Sequence, residues 1–436
     1  MSSRYRVDYY IKEHRRDEFI EWIKSLLATP FVLYAVKPNF TVTAVQDLMI
    51  NSDAARRYAE IFHDIEKLVL DHMEMTKLGI SDQSRIIQLV PSIGTFFTPL
   101  PLEQAFYIQD QRRGISKRRL VAPSFNDIRL ILNTAQILQL AIPFHETFHE
   151  NSNNSTNNLL SLITFDGDIT LYDDGKNFDL NSPLLPHILT ILKKNIVVGI
   201  VTAAGYIEAE KYHERLSGLL NGITKSEDLT IKQKENLLVM GGEANFLFRY
   251  NNEIKGLQYQ DDELWKLPIM KQWSNDDLQL VLDFAQENLE NLISKLSLDA
   301  IIVRKERAVG LIPKEGKKLF REQLEEVVLR VDHNLRQFKP AKSIKWCAFN
   351  GGSDIWVDIG DKSLGVNVLQ QFIKKNDDIH VGPENTLHVG DQFASLGSND
   401  YASRTAATTA WISSPEETCS LLKDLISFID EWASLT

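Results

Sequence analysis

The sequence predicts an α/β protein with a parallel sheet, an inserted α+β segment and a mainly helical N-terminal region. From Leu160 onwards, short apolar strands alternate with helical segments, and the alternation returns near the C-terminus. Such alternation is typical of a parallel sheet covered by helices. Before about residue 150, apolar residues recur at helical spacing. The predicted parts are a helical region over 1–150, a core over 151–204 and 346–436, and an insertion over 205–345.

Length and composition narrow the class of protein. A chain of 436 residues exceeds one simple core, so two or three domains are expected. The formal net charge of −11 argues against a general nucleic-acid or anionic-membrane binder, because such partners require clustered positive charge. Cys347 and Cys419 are too few for a disulfide framework or a thiolate zinc cage. With no signal-peptide core and no apolar run of membrane length, we expect a cytoplasmic protein.

The N-terminal region is predicted to contain at least two amphipathic helices. RRDEFIEWIKSLLA and DAARRYAEIFHDIEKLVLDHME carry apolar residues at helical spacing. PSIGTFFTPLPLEQ is rich in turn formers, and the polar run NSNNSTNN is a predicted linker to the core.

The predicted core and insertion differ in pattern. The first half of the core reads as strand, helix, strand and helix: LLSLITF, PLLPHILTILKKN, IVVGIVTA and YIEAEKYHERLSGLL. The insertion holds two strands, a helix, a strand or hairpin, and a helix: NLLVMGG, NFLFRY, DDLQLVLDFAQENLENLISKL, AIIVRKERAVGLIP and REQLEEVVLRVDHNLRQF. The second half of the core reads as two strands, a helix, two strands and a closing helix: IKWCAF, IWVDIG, SLGVNVLQQFIKKN, TLHVGD, TAATTAWIS and PEETCSLLKDLISFIDEW.

Chemically suggestive side chains follow three of these strands. Asp166 ends the strand SLITF, Thr202 ends IVVGIVTA, and Asp391 ends TLHVG. In open α/β sheets, reactive groups gather at the carboxyl ends of the strands. Asp168 lies two residues beyond the first strand, and Lys362 begins a predicted helix. The strand ends therefore predict one site containing carboxylates, a hydroxyl and a lysine.

This set of groups suits attack on a phosphate ester. A carboxylate that attacks such a dianion needs a divalent metal and a cation to cancel the repulsion. Asp166 and Asp391 could hold Mg²⁺ with the Asp168 carbonyl, because hard Mg²⁺ takes carboxylate and carbonyl oxygens. Lys362 supplies positive charge, and Thr202 donates to a phosphoryl oxygen. The Asp168 carboxyl can protonate the leaving oxygen and then deprotonate water.

The same constellation resembles the haloacid-dehalogenase-like phosphotransferases. DGDIT resembles their first motif, VTAAGY the second, Lys362 the third, and HVGDQFASLGSND the fourth, in the family's order. The resemblance implies a Rossmann-like core, with residues 205–345 as an α+β cap that selects the substrate. The last motif also resembles phosphomannomutases, so a sugar-phosphate phosphatase or a mutase on the same core is the alternative.

Four longer stretches narrow the resemblance to the IMP-specific 5′-nucleotidases of fungi and some protozoa. These are FDGDITLYDDG, VTAAGY, MGGEANFLFRY and HVGDQF…GSNDYASR, together with the long N-terminal extension. The resemblance implies hydrolysis of IMP to inosine and phosphate in purine salvage, with Mg²⁺ as cofactor. It also implies an aspartyl-phosphate intermediate, allosteric activation by ATP and a homotetramer.

The resemblance assigns roles to the motif residues. Asp166 is then the nucleophile, Asp168 the general acid/base, and Asp391 a Mg²⁺ ligand. Thr202 and Lys362 bind the transferring phosphoryl group. Lys345, Lys374 and Lys375 compete with Lys362 for this role, but only Lys362 lies where the third motif is expected.

Several further residues keep two interpretations. Asn399 and Asp400 either orient metal-bound water or cap the following turn. Thr170 is expected to support its loop through backbone hydrogen bonds, and Asp173 with Asp174 to form a solvated turn.

The start of the predicted cap offers substrate contacts. Glu243 and Asn245 could face the purine or the ribose, whereas Phe246 and Phe248 are expected in the cap core. Arg249 either reaches phosphate or stays exposed.

A basic stretch in the N-terminal region is either a solvated loop or the site for the phosphates of an ATP effector. Its cations are Arg112, Arg113, Lys117, Arg118 and Arg119.

Two other motifs are interpreted as coincidental. HETFH formally matches a zinc-protease motif, but little helix remains before the Asn-rich linker and no third ligand is evident. Residues 166–177 lack the glycine and the final glutamate of an EF-hand loop.

Overall fold

The computed structural model describes residues 17–35, 44–141, 160–377, 379–394 and 397–435. HETFH and the predicted linker NSNNSTNN lie outside these ranges. The chain divides into two compact units. In the described residues, one unit contains 160–407 with 412–419, and the other contains the N-terminal helices with 408–411 and 420–435.

The N-terminal helices build a helical unit, as the apolar spacing predicts. Its helices are α1 (Glu18–Ala35), α2 (Ala44–Lys77), α3 (Arg85–Leu89), α4 (Leu102–Arg113) and α5 (Phe125–Ala141). Ile23, Phe62, Phe106 and Ile131 are completely buried in its core. Gly114 caps the C-terminus of helix α4. Its φ of 59° is the left-handed conformation that glycine readily adopts. This unit therefore has an apolar core of its own.

The other unit contains most of the strands of the protein. Its elements begin with β1 (Leu162–Phe165), α6 (Leu185–Lys193), β2 (Val197–Thr202), α7 (Ala209–Arg215), α8 (Ser217–Lys225), α9 (Ile231–Lys234), β3 (Leu237–Gly241), β4 (Phe246–Asn251) and β5 (Gly256–Tyr259). They continue with α10 (Asp262–Trp265), α11 (Pro268–Lys271), α12 (Asn275–Leu296), β6 (Ala300–Arg304), β7 (Ala308–Pro313), α13 (Arg321–Gln337), β8 (Trp346–Asn350), β9 (Ile355–Ile359), α14 (Lys362–Asn376) and β10 (Thr386–Gly390).

The main sheet has the order β10-β1-β2-β3-β4-β5 within this unit. Strands β10, β1, β2 and β3 run parallel, and β4 and β5 add antiparallel edges. The first strands are buried along their whole length, as expected when helices cover both faces of a parallel sheet. The predicted α/β class with a parallel sheet is confirmed.

A second sheet, with the order β6-β7-β9-β8, packs on α12 and α13. We call residues 275–359 the cap layer. Its extent differs from the predicted insertion over 205–345. Strands β3 to β5 belong to the main sheet, although they lie inside that range, and β8 and β9 belong to the cap layer, although they lie outside it. Phe246 and Phe248 are accordingly buried in main-sheet strand β4 rather than in a cap core.

The chain closes with β11 (Thr408–Trp411) and α15 (Pro415–Leu435), as predicted. Residues 408–411 and 420–435 group with the helical unit rather than with the predicted core segment. In the described ranges, no helix is long and apolar enough to cross a lipid bilayer.

The segment after β1 is fastened to the junction of α7 and α8. The Phe178 amide donates to the Arg215 carbonyl at 2.8 Å, and the Gly218 amide donates to the Phe178 carbonyl at 3.0 Å. A Cβ on Gly218 would lie 2.3 to 2.4 Å from backbone atoms of Phe178, Asp179 and Leu180. This close approach requires glycine and fixes Arg215 relative to the loop after β1.

We expect Gly218→Ala to lower the free energy of unfolding by about 2 kcal/mol, because backbone atoms must move apart to admit the methyl group. Chemical denaturation compared with wild type measures the loss. Gly94→Ala is the control, since a Cβ there meets nothing within 4 Å. Equal stability of the two variants would contradict the packing argument.

Candidate active site

The parallel pairing of β1 and β10 brings the first and fourth motifs together. Phe165 is paired with Val389, and the Asp166 amide donates to the Val389 carbonyl at 2.9 Å. Asp391 follows directly after β10. Carboxylates separated by more than two hundred residues therefore meet at one edge of the sheet.

Lys362 is the centre of this site. It is the first residue of α14, whose N-cap Asp361 accepts from the Leu364 amide. The ammonium is completely buried, 2.8 Å from Asp166 Oδ1 and 2.6 Å from Asp400 Oδ1. Burial alone would lower the pKa of Lys362, but Asp166 and Asp400 raise it above its ordinary value. Lys362 is therefore a fixed cation between two carboxylates.

The competing lysines lie elsewhere. Lys345 Nζ is 2.9 Å from Asp361 Oδ2, and Lys374 and Lys375 are exposed in the last turn of α14.

Asp400 makes more buried contacts than either interpretation of the sequence predicts. His388 Nε2 lies 3.0 Å from Asp400 Oδ1, and the Gln392 amide donates to Oδ2 at 2.8 Å. A Cβ on Gly390 would lie 2.3 Å from the Asp400 carboxyl, so the glycine of the GD motif makes room for it. Burial opposes ionisation, but Lys362 and His388 lower the pKa of Asp400 to about 2. His388 is not among the residues predicted from the sequence, although a histidine inside an apolar strand is unusual and could have indicated a functional residue.

Three carboxylates form a candidate metal site. Asp166, Asp391 and Asp400 each offer an oxygen within 4.8 Å of the other two. Burial raises the pKa of Asp166 to about 6 although Lys362 opposes it, and burial together with Asp400 and Asp166 raises that of Asp391 to about 9. Like charges in a desolvated cluster favour a bound cation, and an all-oxygen donor set suits Mg²⁺.

Asp168 occupies a different environment from Asp166. Arg215 Nη1 lies 3.0 Å from Asp168 Oδ1 and 3.3 Å from Oδ2, and the Gly175 amide donates to Oδ1 at 3.2 Å. The Asp168 side chain is about one-third exposed, at 37%. Sequence reasoning did not identify Arg215, because it lies in a helix outside every motif.

The rest of the first motif shapes the loop. Ile169 has a φ of 61°, which turns the chain directly after Asp168. Thr170 is buried, and its carbonyl accepts a hydrogen bond from Thr418 Oγ1 at 2.8 Å. Asp173 and Asp174 are exposed, at the place of the predicted turn.

Thr202 lies at the end of β2, beside β1. Its hydroxyl accepts from the Ala204 amide at 3.2 Å, and its carbonyl accepts from the Glu243 amide at 2.9 Å. The second-motif hydroxyl is therefore held at the carboxyl edge of the sheet, between the loops that follow β2 and β3.

Glu243 and Asn399 form a buried pair. Asn399 Nδ2 donates to Glu243 Oε1 at 3.1 Å, whereas Glu243 Oε2 and Asn399 Oδ1 have no hydrogen-bond partner among the described residues. Burial raises the pKa of Glu243 well above its usual range. The structure thus places Glu243 against Asn399, and Asp400 beside Asn399 contacts Lys362.

Asn245 and Arg249 bind within the protein. Asn245 Nδ2 donates at 2.6 Å to the carbonyls of both Gly242 and Ile359. Arg249 pairs with Asp377 at 2.9 Å and donates to the Glu235 carbonyl.

The basic stretch is largely engaged inside the helical unit. Arg113 and Arg118 lie 2.9 and 2.6 Å from the completely buried Asp127. Arg112 pairs with Asp424, and Arg119 donates to the carbonyls of Ser116 and Arg118. Lys117 is exposed. Of the five predicted effector cations, Lys117 is thus an exposed one, whereas the four arginines contact carboxylates or carbonyls of this unit.

Sequence comparisons identify close relatives. The family model of the IMP-specific 5′-nucleotidases matches residues 1–422. IMP-specific 5′-nucleotidase 1 of Yarrowia lipolytica is 49% identical over 432 residues, covering 99% of this chain and 98% of the relative. The Saccharomyces cerevisiae protein of the same name is 48% identical over 459 residues, covering 98% and 99% of the two chains.

Structure comparisons agree. An IMP-bound mutant of Plasmodium falciparum IMP-nucleotidase superposes with a TM-score of 0.78 at 32% identity, covering 95% of this chain and 94% of that one. The ATP-bound form of the same parasite enzyme gives a TM-score of 0.74 at 33% identity, covering 96% and 87%. The chain therefore belongs to the IMP-specific 5′-nucleotidase family, a family of phosphoric monoester hydrolases.

Proposed function

We propose that this protein hydrolyses IMP to inosine and phosphate through an aspartyl-phosphate on Asp166, with Mg²⁺ as cofactor. The buried contact of Lys362 with Asp166 and Asp400 carries the proposal. It builds a site for a phosphoryl dianion at the strand ends of a chain whose relatives bear the IMP-nucleotidase name.

The Asp166 carboxylate is arranged as a nucleophile. Lys362 and the Gly167 amide both contact Oδ1, at 2.8 and 2.7 Å, which leaves Oδ2 to attack phosphorus. The new Oδ2–P bond replaces the bond from phosphorus to the ribose 5′ oxygen. Lys362 and the Thr202 hydroxyl offset the charge on the phosphoryl oxygens.

Asp168 completes the proton transfers. In the first step it protonates the departing 5′ oxygen, which releases inosine. In the second step it takes a proton from water, whose oxygen attacks phosphorus and frees Asp166 and phosphate. Arg215 and the Gly175 amide hold the carboxyl of Asp168 apart from the buried carboxylate cluster.

Asp166, Asp391 and Asp400 would hold Mg²⁺, with the Asp168 carbonyl as a further oxygen ligand. When bound, the ion supplies Lewis-acid stabilisation of phosphoryl charge. The three carboxylates are preassembled by β1, β10 and the turn at Asp400.

Regulation and assembly follow the family pattern in this proposal. ATP activates the enzyme, with Lys117 and the neighbouring arginines as candidate contacts for its phosphates. The protein acts in cytoplasmic purine salvage as a homotetramer. The ATP-bound parasite relative supports an effector role for ATP.

A sugar-phosphate phosphatase or a phosphomannomutase-like phosphotransferase is the second candidate, because the motifs of the core are shared. A panel of nucleoside monophosphates and sugar phosphates separates the two candidates. Preferred release of phosphate from sugar phosphates, or transfer between sugar positions, would favour the alternative.

Asp166→Asn is expected to reduce release of inosine from IMP by roughly a thousandfold or more, because an amide cannot form the covalent intermediate. Quantifying inosine and phosphate measures the loss. Asp173→Asn is the control, since Asp173 is exposed in the same loop. Wild-type turnover by Asp166→Asn would remove Asp166 from the role of nucleophile.

Asp391→Asn is expected to weaken the apparent affinity for Mg²⁺ by at least about tenfold, because it removes one of three carboxylate ligands. Two measurements report on it: the dependence of IMP hydrolysis on Mg²⁺, and the rise in melting temperature that Mg²⁺ produces without substrate. The control is again Asp173→Asn, because Asp173 is exposed. Asp377→Asn would disturb the ion pair with Arg249 and is not used. An unchanged midpoint for Mg²⁺ would contradict this assignment.

Lys117→Ala is expected to raise the ATP concentration for half-maximal activation by roughly tenfold, because it removes one charge-assisted contact with the ATP phosphates. Stability and ATP-free turnover should be unchanged, because Lys117 is exposed. Arg118→Ala should also destabilise the helical unit, since it frees buried Asp127 from a contact at 2.6 Å. Normal ATP activation in both variants would exclude this stretch as the effector site.

A further inference from the structure

The cap layer presents two different faces. Ile355, Val357 and Ile359 of β9 are completely buried in the apolar core formed with α12 and α13. Because side chains alternate along a strand, Trp356 and Asp358 lie on the opposite face. That second face carries polar and aromatic groups for which the catalytic steps above have no use.

Asp358 is a buried carboxylate with an unused oxygen. The residue is 2% exposed, and its Oδ1 has no hydrogen-bond partner among the described residues. A buried carboxylate oxygen without a donor is costly, so a donor from a ligand is the natural complement. Burial raises the pKa of Asp358 to about 7, although Lys305 opposes the shift.

Lys305 is a cation whose charge acts on this carboxylate. It lies in the β6–β7 hairpin, where its amide donates to the Ala308 carbonyl, and Ala308 is paired with Asp358. Its Nζ is 4.1 Å from the centre of the Trp356 ring, and Trp356 lies two residues before Asp358 on the same face of β9. Lys305 therefore lies on the same face of the sheet as Asp358, whose Oδ1 has no hydrogen-bond donor among the described residues.

The same lysine connects this face to the catalytic strand ends. Lys305 Nζ also lies 5.5 Å from the centre of the Tyr206 ring, and Tyr206 follows β2, which ends at Thr202. Burial is the main cause that lowers the pKa of Lys305, and the positive charge of Arg215, the partner of Asp168, adds to the shift. The polar face of the cap layer thus borders the loops that carry the second motif and the general acid/base.

We propose that Lys305 and Asp358 read the 6-oxo edge of the purine, with Lys305 Nζ donating to O6 and Asp358 Oδ1 accepting from N1–H. This inference rests on the proposed hydrolysis of IMP and names the groups that select its base. Hypoxanthine offers an acceptor at O6 next to a donor at N1. A lysine and a carboxylate side by side are complementary to that order.

Adenine presents the reverse order. Its 6-amino group is a donor that meets the ammonium, and its N1 is an acceptor that meets the carboxylate. Neither pair forms a hydrogen bond, and each leaves a buried polar group unsatisfied, which is the strongest form of discrimination between similar substrates. Guanine shares O6 and N1–H, so this pair separates 6-oxopurines from 6-aminopurines.

The test compares IMP, GMP and AMP as substrates of Asp358→Asn and Lys305→Gln. For each variant, we expect the ratio of kcat/KM for IMP to that for AMP to fall by about tenfold to a hundredfold. Turnover of p-nitrophenyl phosphate, which has no purine, should stay within about twofold of wild type. Glu287→Gln, an exposed change on α12 of the same cap layer, is the matched control.

The outcomes separate the two proposals. Wild-type protein that fails to hydrolyse IMP overturns the proposed function. Calorimetry of IMP and AMP binding to Asp166→Asn, with and without Asp358→Asn, then still decides the base-reading role. An unchanged preference for IMP in both cap variants overturns the inference. An equal loss of activity on p-nitrophenyl phosphate and IMP also overturns it, because it indicates a structural role.

Discussion

The burial of one ammonium between two carboxylates is the constraint on which the rest of the site depends. Lys362 lies 2.8 Å from Asp166 and 2.6 Å from Asp400 with no exposure to solvent. Removing a charge from water is costly unless it is paired and hydrogen-bonded. The carboxylates can gather at the strand ends because this cation compensates them. Loss of the cation would leave like charges in a desolvated cluster, so the lysine has a structural role in addition to the catalytic one proposed for it.

The two carboxylates of the first motif lie in environments that suit the different tasks proposed for them. Asp166 is buried against Lys362, whereas Asp168 is partly exposed and bound by Arg215. A nucleophile must keep a fixed position beside the phosphoryl site, and a proton carrier needs access to the leaving group and to water. Because β1 ends at Phe165 and the chain turns at Ile169, two residues are enough to separate these environments.

Local sequence predicted the parts of the site that each motif contains, but not the contacts between elements. Asp166, Thr202 and Asp391 follow from strand ends, and the parallel sheet brings them together. The contact of His388 with Asp400 depends on the turn at Asp400, and the Arg215–Asp168 pair depends on how α7 packs. The cap boundaries could not be read for a related reason. The local pattern of a strand does not state which sheet it joins, since that depends on pairing with residues distant in sequence.

A short segment connects the proposed base-reading face of the cap layer to the proposed phosphoryl site of the core. Strand β9 ends at Ile359, Gly360 turns with a φ of 90°, and Lys362 begins α14. Asp358 and Lys362 are thus four residues apart along one short segment. Asn245 Nδ2 donates to the Ile359 carbonyl at 2.6 Å, and Lys345 of the cap layer pairs with Asp361 at 2.9 Å. A displacement of the cap face would therefore be transmitted to the start of α14, where the ammonium of Lys362 is fixed.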